Sequence, residues 1–296
     1  MRHLLATGRY EVRCLTRNPR SVASIALAEA DAELFRGDLD EIESIELALR
    51  SCDAVFGVTD YWEHFEREFD QGRNLIDAIR HSNVQHTILS TLPDAKGLSG
   101  GKMEVPPFDT KARIQQYARE CELSATYLHV SFYYENFLTC CLPRRRNDGS
   151  YVFSMPQGSA PLATVSVQDF GGVVTAVFAE SFWYRNQQLS VVGDERSCTD
   201  YAQIMSQVLG LTIEYKDIEP ESFAAYRIRG GRELASIFKF KRMYLPHRSS
   251  DMEKSRELFP EIRTFERWLR GNSAVLERLL SLGKSKSATQ PVRVTS

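Results

Sequence analysis

Residues 1–19 read MRHLLATGRYEVRCLTRNP, and the order of their parts decides the fold class. A one-turn apolar run at Leu4 and Leu5 precedes Gly8, and a strand is predicted over 10–16. A phosphate-binding glycine turn needs a strand before it and a helix after it. Here the order is reversed, so the ATG of Ala6–Gly8 reads as the end of a helix with Gly8 as its left-handed cap. TRNP then closes the strand. Helix, strand and polar loop in this order form the trailing half of a βαβ unit.

The same rhythm continues outward from this stretch. Further short apolar runs at 32–36, 54–59, 86–91 and 125–131 predict strands, separated by helical-period segments. Ile42, Ile45, Leu49 and Cys52 share one helical face, as do Phe65, Phe69, Gly72, Ile76 and Ile79. Repeated βα units predict an α/β fold, a Rossmann-like doubly wound parallel sheet, with a smaller α+β C-terminal domain for substrate or partner. After residue 150 the strands shorten and glycines punctuate, with helices predicted over 167–180, 199–209 and 264–280. The expected organisation is a dinucleotide-binding domain over 1–150, a smaller domain over 151–283 partly interleaved with it, and a disordered tail over 284–296, which lacks any apolar period.

Composition narrows the function classes. The 296 residues carry a formal charge of −2, which gives no global pull toward nucleic acid, and the only basic run is Arg144, Arg145 and Arg146. No apolar run approaches the ~20 residues that span a bilayer, and the start lacks a secretory pattern, so a cytoplasmic location is expected. The six cysteines show no metal-ligand spacing, and no metal is expected. Reduced thiols are the plain reading; Cys140 and Cys141 stand adjacent, a spacing that rarely closes a disulfide.

In a doubly wound sheet the ligand lies across the carboxyl ends of the strands. Arg17 and Arg20 follow the first strand and suit the 2'-phosphate that separates NADP from NAD. Asp38 and Leu39, after the second, can meet adenine. Thr59, Asp60 and Tyr61 follow the third, and Ser90 and Thr91 end the fourth; their hydroxyls suit a ribose or nicotinamide pocket, or Thr59 and Ser90 cap the segments that follow. Asp109 or Thr110 is expected to cap the next helix. That places Lys111 in its first turn, where the helix dipole disfavours a cation, so an anionic or hydroxyl partner is expected. Tyr133, Tyr134, Glu135 and Asn136 follow the fifth strand.

The motifs LTRNP, GDLD, VFGVTDYWE, QGRNLIDA, LSTLPDAKGLSGG, FDTKARIQQY and FYYENFL resemble, in order and spacing, those of NmrA-like proteins, atypical members of the short-chain dehydrogenase/reductase superfamily. SVQDFGGVV, VVGDERSCTDYAQIMSQVLG and LFPEIRTFERWL extend the resemblance to residue 283. It implies cofactor contacts at Arg17, Asp38, Leu39, Thr59 to Tyr61, Lys111 and Tyr133 to Asn136, and NADP(H) rather than NAD(H). His129-Val130 and Asp70 depart from the family pattern. Relatives open with a strand and a glycine-rich turn; here Met1 falls within the family's first helix, so an internal start or a degenerate copy is expected. The neighbours of that central strand would then lose ladder partners.

None of the twelve tyrosines has a lysine four residues later, so the usual Tyr-x-x-x-Lys pair is absent. Lys111 is the candidate catalytic residue, by analogy with isoflavone-reductase-like relatives. Two functions are expected: an NADP(H)-dependent oxidoreductase acting on a small organic molecule, in secondary metabolism, or a non-catalytic dinucleotide sensor that binds a regulatory protein and works in the nucleus.

Overall fold

Alternation within short parallel strands divides their side chains between two helix layers, and this organises the first half of the chain. The computed structural model describes residues 1–225, 229–245 and 247–282; the expected disordered tail lies outside them. In order, the elements are α1 (Arg2–Ala6), β1 (Arg13–Thr16), α2 (Val22–Ala28), β2 (Glu33–Arg36), α3 (Ile42–Leu49) and β3 (Ala54–Gly57). Next come α4 (Tyr61–His64), α5 (Glu68–Arg80), β4 (His86–Thr91), α6 (Ala95–Leu98), α7 (Pro106–Glu120) and β5 (Ala125–Val130). Then follow β6 (Phe132–Tyr133), a 3-10 turn (Tyr134–Leu138), β7 (Arg144–Arg145), β8 (Tyr151–Met155), β9 (Leu162–Val165), α8 (Val167–Ala179), α9 (Ser181–Tyr184), β10 (Gln188–Val191) and β11 (Asp194–Arg196). The remainder is α10 (Cys198–Leu209), β12 (Ile213–Asp217), α11 (Pro220–Ala224), α12 (Gly231–Tyr244), α13 (Ser249–Leu258) and α14 (Phe265–Leu282). No described helix is long and apolar enough to cross a membrane.

Two compact units share these elements. The first comprises Met1–Pro93, Thr110–His129 and Phe170–Leu189; the second takes Asp94–Asp109, Val130–Asp169 and the chain from Ser190 onward.

In the first unit β1 and β2 pair in parallel, as do β3 with β4 and β4 with β5. The strand order of the larger sheet is β10-β5-β4-β3, and β1-β2 forms a sheet of its own. Among the described residues, β1 pairs with β2 alone and β3 with β4 alone. Leu89, Ala125 and Tyr127 face a core built from Ile45 and Leu49 of α3, Leu75, Ile76, Ala78 and Ile79 of α5, and Ile114 and Ala118 of α7. Phe56 points the other way, its ring 6.0 Å from Phe170 of α8. Helices thus cover both faces, which makes the sheet doubly wound. Gly8, at φ +65°, donates its amide to the Leu5 carbonyl at 3.0 Å and ends α1, so it is a helix cap and not a phosphate turn.

One position requires the absence of a side chain. A Cβ at Gly72 would lie 2.5 Å from Ile114, so α5 and α7 meet at closer than side-chain distance. Ile114 is buried and β-branched, and it has little room to yield.

The second unit holds two three-stranded sheets, β11-β9-β6 and β12-β8-β7. Its centre is aromatic: Phe137 lies within 5.8 Å of Phe153, Tyr201 and Phe265, and Phe265 stacks on Trp268. Asp169, at the start of α8, accepts two bonds from the guanidinium of Arg263, at 2.9 Å from Nε and 2.7 Å from the terminal nitrogen. Lys241 of α12 places its ammonium 5.4 Å from the Phe132 ring centre and 6.0 Å from that of Phe108, with no carboxylate paired to it among the described residues. Burial, reinforced by Arg248, pushes its pKa down to about 7.

Two outcomes follow from this packing. Gly72→Ala forces Ile114 aside and should lower stability by about 1–3 kcal/mol in urea denaturation, whereas Gly8→Asn at an exposed left-handed cap should cost much less. For Lys241 the folded pKa lies below the unfolded value of 10.5. The unfolded chain then binds the extra proton between about pH 7 and 10.5, and this group makes stability rise with pH across that window. Lys241→Met should therefore raise Tm most at pH 6, and the gain should shrink toward pH 10; a gain independent of pH would count against the buried charge.

Candidate functional site

The carboxyl end of β3 carries a buried polar cluster. Thr59, Glu68 and Lys111 are 5%, 0% and 8% exposed. The Lys111 ammonium donates to the Thr59 carbonyl at 2.6 Å, to Thr59 Oγ1 at 3.1 Å and to Glu68 Oε1 at 2.7 Å. Thr59 Oγ1 donates to the same Glu68 oxygen at 2.7 Å. A carboxylate this deeply buried keeps its charge only beside a cation with good hydrogen bonds. Its second oxygen, Oε2, is buried without a partner, as is Oε1 of the neighbouring Gln71.

Local structure explains how these groups meet. α7 begins at Pro106, the first helical position that proline suits. The Asp109 carboxylate reaches back to the amides of Val105, at 2.7 Å, and Lys96, at 3.0 Å. This corrects the expectation of a cap at Asp109 or Thr110: the helix starts earlier, and Lys111 sits in its second turn. The dipole argument for an external anion loses its premise, because Glu68 supplies the negative charge. Glu68 and Gln71 were not anticipated. The signal was present, since Glu68 stands four residues before Gly72 on the helix face that is otherwise apolar.

The other predicted positions of the first unit fall as follows. Arg17 and Arg20 are exposed after β1, and Arg17 forms a loose pair with Glu63 at 3.5 Å. The Asp38 carboxylate accepts the Asp40 amide at 3.1 Å, and Ser44 Oγ accepts the Asp38 amide at 2.9 Å. Leu39 packs on the core while its carbonyl accepts from Asn74 at 2.9 Å. Asp60, not Thr59, caps α4, accepting from Trp62 at 2.9 Å and Glu63 at 3.3 Å. Tyr61 is buried against Trp62 and Phe65. Ser90 lies inside β4, and Asp94 caps the helix that follows, α6. Thr91 donates to Gln115 at 2.7 Å, and the departure His129 is bonded to that same oxygen at 2.8 Å. A cleft of about 360 Å³ lined by Arg119, Glu122, Leu123, Tyr127 and Asn186 opens where β5 begins, the opposite end of the strands from this cluster.

Tyr133, Tyr134, Glu135 and Asn136 belong to the second unit. Burial pushes the Tyr133 phenol up, and Glu135 adds to the shift. Tyr134 is fully buried and donates to the Arg263 carbonyl at 3.0 Å. Glu135 accepts from Ser166 Oγ at 2.9 Å and the Val167 amide at 3.1 Å, at the start of α8. Asn136 is 4% exposed, and its Oδ1 is buried without a partner. No cluster of three or more metal-ligating side chains occurs among the described residues.

Comparison with known proteins gives one family and a consistent fold. The model of the NmrA-like family matches residues 1–269. The NmrA-like family domain-containing oxidoreductase notA of Aspergillus sp. strain MF297-2 is 29% identical over 265 residues, covering 81% of this chain and 77% of its own. Among solved structures, NmrA, a negative transcriptional regulator in complex with NADP, superposes with a TM-score of 0.81 at 20% identity, covering 93% and 92% of the two chains. Triphenylmethane reductase of Citrobacter sp., complexed with NADP(H), gives 0.73 at 16% identity, covering 91% and 93%. At these identities the structural likeness establishes the fold alone.

The buried cluster predicts strong coupling between its members. Lys111→Met strands the Glu68 carboxylate and should cost about 3–5 kcal/mol, and Glu68→Leu strands the ammonium at similar cost. The double variant Lys111→Met/Glu68→Leu should cost clearly less than the sum of the two singles in chemical denaturation. Additive losses would show that the pair is not coupled.

Proposed function

The chain belongs to the NmrA-like family, and we propose that it is an oxidoreductase that works with a nicotinamide dinucleotide, NADP(H) in preference to NAD(H), on a small organic molecule. One observation carries the reading: a lysine and a wholly buried glutamate, paired at 2.7 Å, stand where open α/β sheets place their ligands. Apolar side chains of similar size often stabilise a protein as well as a buried ion pair does. The position of this pair at the carboxyl edge therefore supports a chemical role over a structural one.

The residues present fit such a cofactor. Arg17 and Arg20 are exposed guanidiniums suited to the adenosine phosphate, and the Arg17–Glu63 pair is of the exposed kind worth about 0–1 kcal/mol, which a phosphate displaces. Asp38 and Leu39 hold the adenine side, and Thr59, Asp60, Tyr61 and Ser90 the ribose side. Buried oxygens of Glu68 and Gln71 without partners suit hydroxyl and amide donors. The dinucleotide, when bound, supplies the hydride. Lys111 Nζ, held on Glu68 and Thr59, is the candidate group for proton transfer at a substrate oxygen.

A specific observation favours a second reading, a dinucleotide sensor for a regulatory protein. All three Lys111 donors are aimed at acceptors within the protein, leaving none directed outward.

Titration of the full chain with NADPH and NADH, read by melting temperature, should give a larger rise with NADPH. Loss of NADPH absorbance against a panel of quinones and small carbonyl compounds should then follow in the wild type and fall at least about 100-fold in Lys111→Met/Glu68→Leu with binding retained. NADPH binding without turnover would favour the sensor, and no rise with either dinucleotide would overturn both readings.

A further inference from the structure

The adjacent cysteines sit at the end of the segment that carries Tyr133 to Asn136. Cys140 is half-buried and Cys141 is 3% exposed, and their sulfurs are 3.7 Å apart. Both are tied to one carbonyl: the Cys141 amide donates to Asn136 O at 2.9 Å, and the Cys140 thiol approaches the same oxygen at 3.9 Å. The hydrogen bond with Cys141 draws the Cys140 thiol below its ordinary pKa, while that bond and full burial push Cys141 well above. The two sulfurs therefore differ in role: an outer thiol that ionises first and an inner one that stays protonated until its partner reacts.

We propose that Cys140 and Cys141 form a reversible dithiol site that takes a low-molecular-weight disulfide as oxidant and closes to a vicinal disulfide. The steps balance through exchange chemistry. The Cys140 thiolate, its proton released to solvent, attacks one sulfur of the small disulfide. A mixed disulfide forms and one small thiolate leaves, taking up a proton. Cys141 then loses its proton and attacks Cys140 Sγ, the mixed disulfide breaks, and the second small thiolate leaves and is protonated. Two protein thiols are oxidised, and one external disulfide is reduced to two thiols.

Adjacency sets the character of the product. Neighbouring Cα atoms lie about 3.8 Å apart across a trans peptide, short of the roughly 4.4–6.8 Å that a relaxed disulfide spans. The ring is strained, and strained disulfides are the readily reduced ones. Closing it turns the Cys140–Cys141 peptide and withdraws the Cys141 amide from Asn136 O. The turn Tyr134–Leu138 then loses one of its anchors. This inference does not rest on dinucleotide binding.

The full chain, incubated with oxidised glutathione, quenched in acid and alkylated, should lose two hydrogen atoms in mass. Alkylatable thiols should fall from six to four, the loss should map to the peptide containing Cys140 and Cys141, and dithiothreitol should restore it. Phenylarsine oxide, which needs two neighbouring thiols, should bind the reduced wild type one to one, protect it from this oxidation, and fail to be retained by Cys140→Ser. A glutathione adduct that persists on Cys140 with Cys141 free overturns the proposal. So does a folded protein that keeps all six thiols, or one that retains no arsenical.

Discussion

A carboxylate withdrawn from water needs a cation and hydrogen bonds in return, and the demand made by Glu68 organises the first unit. Its partner Lys111 comes from α7, and the hydroxyl that shares the same oxygen comes from Thr59, just beyond β3. Three segments distant in sequence are thereby pinned at one point on the strand edge. The close approach of α5 and α7 at Gly72 serves the same arrangement, because it brings the first turn of α5 beside the second turn of α7.

Much of this architecture is legible in the sequence, for identifiable reasons. The strand over 86–91 is found unchanged, since β4 has a partner on each side and its ladder runs its full length. β1 begins three residues later than predicted, at Arg13, where pairing with β2 starts at Glu33. The apolar faces of α3 and α5 are the ones that pack, apart from Cys52, which falls past the end of α3, and Phe65, which precedes α5 and packs on Tyr61. Two consecutive prolines concealed the true start of α7 and displaced Lys111 by a turn. Glu68 escaped notice because a charged residue in a helical segment is ordinarily solvated, and only its spacing from Gly72 marks it as buried.

Long-range pairings were out of reach in principle. Asp169 and Arg263 lie in motifs that also mark the family, yet nothing local says that the two side chains meet. The same holds for the Tyr134 hydroxyl and the Arg263 carbonyl, which convert a candidate ligand-facing phenol into part of an aromatic core. The hydroxyls of Thr59 and Ser90 illustrate the converse: local pattern allowed each to be a cap, and the carboxylates of Asp60 and Asp94 cap α4 and α6 instead.

The interruption between β1 and β3 has a consequence for how the first unit opens. With no ladder joining them among the described residues, residues 1–36 are held through loops, helix packing and the bonds of Arg13 to the carbonyls of Ala48 and Arg50. Fewer backbone bonds tie such a segment to β3, β4 and β5 than tie those strands to one another, so its local detachment costs less free energy than theirs. Arg17 and Arg20 ride on it, so any anion they grip also works against that detachment, and its affinity is reduced by the free energy of holding the segment in place.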